Sequence, residues 1–175
     1  MNQMLRVLSI GLLIVSTFVG ATGQAKERWK VDKDYDQKTD KTSVDLRMMP
    51  VTCVKEGCVF FNLRATFSGK RPVALVDRFV FGLYFFTKDP QAMTDPDLRF
   101  NMDAEVLETG PMTYVGKDEK DGLIGHAYGI PLTNSEIGKI ANAKKVGIQI
   151  GSVNLMLAEH HIAAIADLYK QVSLQ

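Results

Sequence analysis

The sequence predicts an α+β domain, mostly antiparallel β-sheet in a sandwich-like or strongly curved arrangement, with a short helix and a C-terminal amphipathic helix. Three observations carry that expectation. From Ser43 onward, apolar and polar residues alternate with a period of two in several runs separated by Gly-, Pro- and Asp-containing turns. A cysteine pair, "TCVKEGC", sits between two of those runs. Near the C-terminus the pattern twice changes to the three- and four-residue steps of a helix.

The chain begins with Arg6, the apolar run "VLSIGLLIVSTFV" and the small-residue stretch "GATGQA". This is the pattern of a secretory signal peptide, with cleavage expected after Ala21, Gly23 or Ala25. The run is shorter than the roughly 20 apolar residues a membrane helix needs, and no cysteine at its end offers a lipid anchor. The expected organisation is therefore a leader over residues 1–23 and one exported domain over residues 24–175, periplasmic or secreted, with no stable membrane span. A remainder of roughly 150 residues suffices for one domain with its own core. Lys and Arg number 21 against 20 Asp and Glu. With no basic stripe to neutralise phosphates, nucleic-acid binding is not expected.

The first strand is expected in "WKVDKDYD", with Trp29, Val31, Lys33 and Tyr35 on one face and Lys30, Asp32, Asp34 and Asp36 on the other. "SVDLRMMPV" follows with Val44, Leu46 and Met48 inward, and Pro50 belongs at an edge or strand end because it has no N–H to donate. "CVFFNLRATF" then sets Val59, Phe61, Leu63, Ala65 and Phe67 on one face. Cys53 and Cys58 lie between these two runs, where an oxidising compartment favours a disulfide across a tight turn. Redox enzymes use C-x-x-C, and zinc would need two further ligands that are not nearby.

"VALVDRFVFGLYFF" reads as one long strand over residues 73–86 with a bend or bulge at Asp77 and Arg78, its second half buried on both faces or set between a sheet and a helix. "LRFNMDAEVL" reads as a strand with Leu98, Phe100, Met102, Ala104 and Val106 inward, and "MTYVGKDEKDGLIGHAYGI" as a hairpin with the solvated tip "GKDEKDG". "LTNSEIGKI" begins a helix, with Thr133 as N-cap, Glu136 as its capping-box partner and Leu132 against Ile137 as hydrophobic staple. "KKVGIQIGSVNLML" is a hairpin about Gly151 and Ser152. From Ala158 the terminal helix presents Ile162, Ile165, Ala166, Tyr169 and Val172.

The tail "IANAKKVGIQIGSVNLMLAEHHIAAIADLYKQV" resembles the ends of many exported bacterial proteins without assigned activity, in which a short helix leads to a Gly-containing hairpin and a closing helix. The resemblance implies the fold of this end and carries over no functional residue.

Four carboxylates in "DKDYDQKTD" raise the question of calcium. Asp32, Asp34, Asp36 and Asp40 match positions 1, 3, 5 and 9 of an EF-hand loop, but Gln37 stands where the turn needs glycine and Ser43 where the shell needs a bidentate glutamate. An edge strand with its charged face in water explains the spacing better. His160 and His161 are adjacent on the terminal helix and lack the i, i+4 spacing of helical zinc ligands. His126 shares a strand face with Tyr128 and Ile130, and Asp77 either points inward or is exposed by a bulge. No nucleophile elbow, phosphate loop or dinucleotide fingerprint occurs. These features lead to the expectation of an exported, non-catalytic binding or interaction domain of the cell envelope, with an envelope or extracellular protein partner and no cofactor. The alternatives are a carrier of a small apolar ligand lined by residues 79–86, and a hydrolase using His126, His160 or His161 with Asp77.

Overall fold

A computed structural model describes residues 29–54, 57–87, 96–120 and 123–173. The leader with Ala21, Gly23 and Ala25, the turn residues 55–56, the loop 88–95 and the hairpin tip at 121–122 lie outside the described residues. The elements are β1 (Val31–Asp36), β2 (Lys41–Val54), β3 (Gly57–Ser68), β4 (Arg78–Thr87), β5 (Asp97–Met102), β6 (Glu105–Pro111), β7 (Thr113–Lys120), β8 (Leu123–Thr133), α1 (Asn134–Asn142), β9 (Val146–Ile150), β10 (Val153–Leu157) and α2 (Glu159–Val172). The strands form two antiparallel sheets, β1-β2-β3-β4-β8-β7 and β10-β9-β5-β6. The α+β class is as expected, and the β-rich part consists of two facing sheets.

Alternation decides which face of the large sheet is inward. Val44, Leu46, Phe61, Leu63, Ala65, Phe79, Phe81, Leu83, Tyr128, Ile130 and Leu132 are all buried on it. Part of that face meets the small sheet, where the Phe81 and Phe100 rings stack edge to face at 5.2 Å. Another part meets the helices, where His161 stands edge-on to Phe61 at 5.6 Å and Tyr169 lies 6.3 Å from Phe79. Each large side chain buried here contributes about 1.5–3 kcal/mol. At the chain's start, the Trp29 indole N–H donates to the Asp167 carboxylate at 3.0 Å and ties the segment before β1 to α2.

The capping box of α1 forms as the sequence predicts. The Thr133 hydroxyl accepts from the Glu136 N–H at 3.2 Å, and the Glu136 carboxylate accepts from the Thr133 N–H at 2.6 Å. Leu132 and Ile137 are both buried beneath it. α2 buries Ile162, Ile165 and Val172 as expected, together with Ala164 and Leu168, while Ala166 and Tyr169 are half-buried.

Several expectations need correction. A bulge between Leu46 and Met49 flips the parity of β2, so Met49 is buried and Met48 is 49% exposed. Pro50 lies within β2 rather than at its end, but β1 pairs only as far as Leu46, and among the described residues no strand follows on that flank. Residues 73–77 form irregular backbone before β4, with Val73 and Leu75 exposed and Val76 buried, because apolar composition alone does not separate a strand from a loop. β4 is inward-facing at Phe79, Phe81 and Leu83 but leaves Val80 half exposed on the other face, so it is not buried on both sides. The run through Ala104 and Val106 breaks into a hairpin: Asp103 takes a positive φ of 42° and accepts the N–H groups of Lys144 and Lys145. Ala104 and Val106 are consequently exposed. Most of the expected tip "GKDEKDG" belongs to β7, paired with β8 up to Lys120.

Candidate functional site

Rows of cross-strand neighbours on the inner face lead to the site. Phe61, Leu83 and Tyr128 form one row through β3, β4 and β8, and none is more than 1% exposed. The next row toward one end of the sheet is Thr52, Val59, Phe85 and His126. Here Thr52 is exposed and Val59 and Phe85 are half-buried. At about 4.8 Å per strand the row is roughly 14 Å wide. Val153, at the start of β10, closes one side, and the result is an open groove of about 330 Å³. That volume is at the small end of the roughly 300–1,000 Å³ range of ligand sites.

The wall at the β2–β3 tip is fixed by covalent chemistry. Cys53 and Cys58 are direct cross-strand partners, 4.1 Å apart at Cα, and are joined by a disulfide as expected. Gly57 beside them has no substitute: a Cβ there would lie 2.1 Å from the Phe86 carbonyl oxygen. The tip is thus pressed against β4 where it borders the groove. Phe86 points to the opposite face, where its ring covers Gly125 and stands edge-on to Phe60 at 5.7 Å.

His126 supplies the buried polar feature of this groove, which Thr52 and Thr87 also line. It is 6% exposed, and among the described residues its two ring nitrogens are the buried side-chain polar atoms without a hydrogen-bond partner. The Tyr114 ring lies 5.9 Å away and in turn meets Tyr128 edge-on at 5.5 Å. On the neighbouring edge strand, Lys117 is in register with His126, and its ammonium contacts Glu119 at 2.9 Å. That contact raises the Lys117 pKa and lowers that of Glu119. A buried polar group left unpaired costs about 1–3 kcal/mol, so the imidazole is an expensive residue for a strand that could carry leucine.

The other sequence candidates sit elsewhere. His161 is 2% exposed, and both its nitrogens serve backbone groups. Nδ1 accepts from the Ala158 N–H at 3.0 Å, and Nε2 lies 2.9 Å from the Pro50 carbonyl oxygen, which makes Nε2 the protonated nitrogen. At the third position of α2, His161 reaches back to the N-cap as a capping-box glutamate would. His160 is half-buried, with its ring 3.9 Å from that of His161. Asp77 is exposed just before β4, at the end of the strand far from the groove.

Asp32, Asp34 and Asp36 extend along β1, and Asp40 follows in the turn with φ 50°. Asp32 contacts Arg47 and Lys30, and hydrogen bonds from these two side chains hold its carboxyl below the usual range. Asp36 accepts from the Thr39 hydroxyl and the Lys38 N–H, both at 2.8 Å, which lowers its pKa as well. Asp40 accepts from the Tyr35 hydroxyl at 2.9 Å, an interaction that raises the Tyr35 pKa. Asp32, Asp36 and Asp40 therefore serve separate local partners. Among the described residues no three His, Cys, Asp or Glu side chains converge at metal-binding distance, and no helix is long and apolar enough to cross a membrane.

The sequence placed His126 on the inward face but gave no sign that the cover above it ends. The part of the groove read from Thr52, Gly57 and Val153 went unnoticed, because it arises from three distant segments meeting at one sheet end. No family model, curated protein or solved structure matches the chain.

Proposed function

We propose that this chain is an exported, non-catalytic binding domain whose groove at the disulfide end receives a small, largely apolar ligand carrying one group that hydrogen-bonds to His126. The observation that supports this reading is the unpartnered imidazole in a groove lined by apolar Val59, Phe85 and Val153 together with Thr52 and Thr87. Apolar walls with a few placed polar groups are the usual make-up of a small-molecule site. A ligand hydroxyl, amide or carboxyl would satisfy a nitrogen that folding leaves unmet. The groove favours such a ligand over the protein partner expected from the sequence.

A hydrolytic role has less support. A catalytic imidazole needs a nucleophile within hydrogen-bond reach and a third group to orient it, and His126 has neither hydrogen bond. His161 is committed to Ala158 and Pro50. Export draws its support from the leader pattern, from the disulfide, which suits an oxidising compartment, and from the likeness of the C-terminal segment to exported bacterial proteins.

The test is displacement of 1-anilinonaphthalene-8-sulfonate fluorescence by octanol, octanoate and 4-propylphenol. At least one should compete with the dye, and His126→Leu should weaken its binding about tenfold, the worth of one hydrogen bond of about 1.4 kcal/mol. Val59→Trp, which fills the groove, should abolish it. Unchanged binding in both variants would overturn the proposal, as would no competition by any of the three.

A further inference from the structure

The small sheet turns one face to the core and the other outward. Leu98, Phe100, Ile148, Ile150, Leu155 and Leu157 alternate inward and are buried. Outward, Met156, Gly147, Asn101 and Val106 form one row across β10, β9, β5 and β6. The next row is Asn154, Gln149, Arg99 and Glu108. The β5–β6 turn, with Asp103 and Ala104, borders the first row, and the result is an open trough of about 530 Å³ with Gly147 in its floor. That volume lies within the roughly 300–1,000 Å³ range of ligand sites.

Two features of this trough are not explained by folding. Gly147 sits inside β9, paired on both sides in unbroken register, where glycine weakens a strand. It takes no positive φ, so no turn or bulge accounts for it. Packing does not demand it either. A Cβ there would meet the Met156 sulfur at 3.2 Å and otherwise only ordinary contacts, and Met156 is 64% exposed with room to swing outward. What remains is the close approach of a ligand to the backbone. The second feature is a cluster of three carboxamides. Asn101 is the cross-strand neighbour of Gly147, Gln149 follows Gly147 on the same face, and Asn154 pairs with Gln149. Among the described residues none of these three side chains is engaged in a hydrogen bond. Charge around them is nearly balanced: Asp103 and Glu105 stand against Lys139 and Lys145, and Arg99 against Glu108, with Lys144 exposed beyond.

We propose that this trough binds a neutral saccharide, whose hydroxyl groups meet Asn101, Gln149 and Asn154 and whose C–H face lies over Gly147 against Met156 and Val106. Each carboxamide offers two N–H donors and an acceptor oxygen, which matches hydroxyl groups that both donate and accept. The near balance of charge gives an ion of either sign no advantage. Val106 and Met156, both exposed, supply apolar contact beside the amides. A peptide would find its usual anchor at a free strand edge rather than on a sheet face. The site is independent of the groove at His126: Val153 borders the groove and Asn154 the trough, on opposite faces of β10.

The experiment is an NMR titration of the isotope-labelled protein with maltotriose, cellotriose and chitotriose, and with tri-alanine as the peptide control. At least one trisaccharide should shift the side-chain amide signals of Asn101, Gln149 and Asn154. Gly147→Val, which fills the floor, and Asn101→Ala with Asn154→Ala should each weaken binding about tenfold or more. The alanine pair replaces two exposed side chains, so it keeps the unfolding midpoint and isolates the loss of binding. Retention on insoluble starch, cellulose or chitin would place the ligand within a polymer, and binding of the trisaccharides alone would make it a free sugar; either supports the proposal. No shift with any trisaccharide would overturn it, as would unchanged binding in both variants. An equal shift with tri-alanine would also overturn it, by making the trough a peptide site.

Discussion

His126 and His161 are buried to nearly the same degree on the same side of the large sheet, yet they are opposites in chemistry. His161 gives one nitrogen to the Ala158 N–H and the other to the Pro50 carbonyl, and so ties the start of α2 to β2. His126 gives neither nitrogen to anything. Burial alone therefore says little about why a histidine is present. One imidazole is explained by the fold, and the other is a cost the fold carries without return. A residue of the second kind is the better marker of a binding site.

The sharpest break of this comparison should come from His161. Its replacement by alanine leaves the Ala158 N–H and the Pro50 carbonyl unpaired and opens a cavity against Phe61, so the domain should lose about 3 kcal/mol, read as a fall in the urea midpoint. His161→Gln should recover part of that loss, since glutamine at the third helical position can also reach the N-cap. Next in size is the disulfide beside the groove. Replacing Cys53 and Cys58 by serine should cost about 2 kcal/mol and weaken dye binding, because the bridge holds the wall that faces His126. The smallest effect, and the one of opposite sign, belongs to His126→Leu. Exchanging an unpaired imidazole for an apolar side chain should leave stability unchanged or raise it by about 1 kcal/mol. A clear loss of stability would mean that His126 has a structural partner, and the contrast with His161 would collapse.

Local signals were legible in the sequence. The Thr133–Glu136 capping box, the cysteine hairpin, the parity of β3 and the inward aim of His126 all follow from spacing over a few residues. The missed features depend on one inserted residue or on distant segments. The bulge after Leu46 exchanges Met48 for Met49 without any change in composition. The turn at Asp103 carries no Gly or Pro to announce it, and residues 73–77 are apolar enough to pass for a strand. The role of His161 was hidden because Ala158 is a poor N-cap, although a polar side chain at the third helical position was the available sign. The groove could not be read at all from the pattern, since it requires knowing where the small sheet stops covering the large one.

Pro50 has a consequence for how the protein behaves among its own kind. Among the described residues, β2 past Leu46 has β3 on one flank and no strand on the other. Such a flank ordinarily invites a neighbouring chain to continue the ladder. Here an incoming strand would find no N–H to accept from at Pro50, and a carbonyl already occupied by His161. The ladder is thus interrupted at Pro50, beside exposed Met48 and half-buried Val51, which would otherwise make self-association attractive.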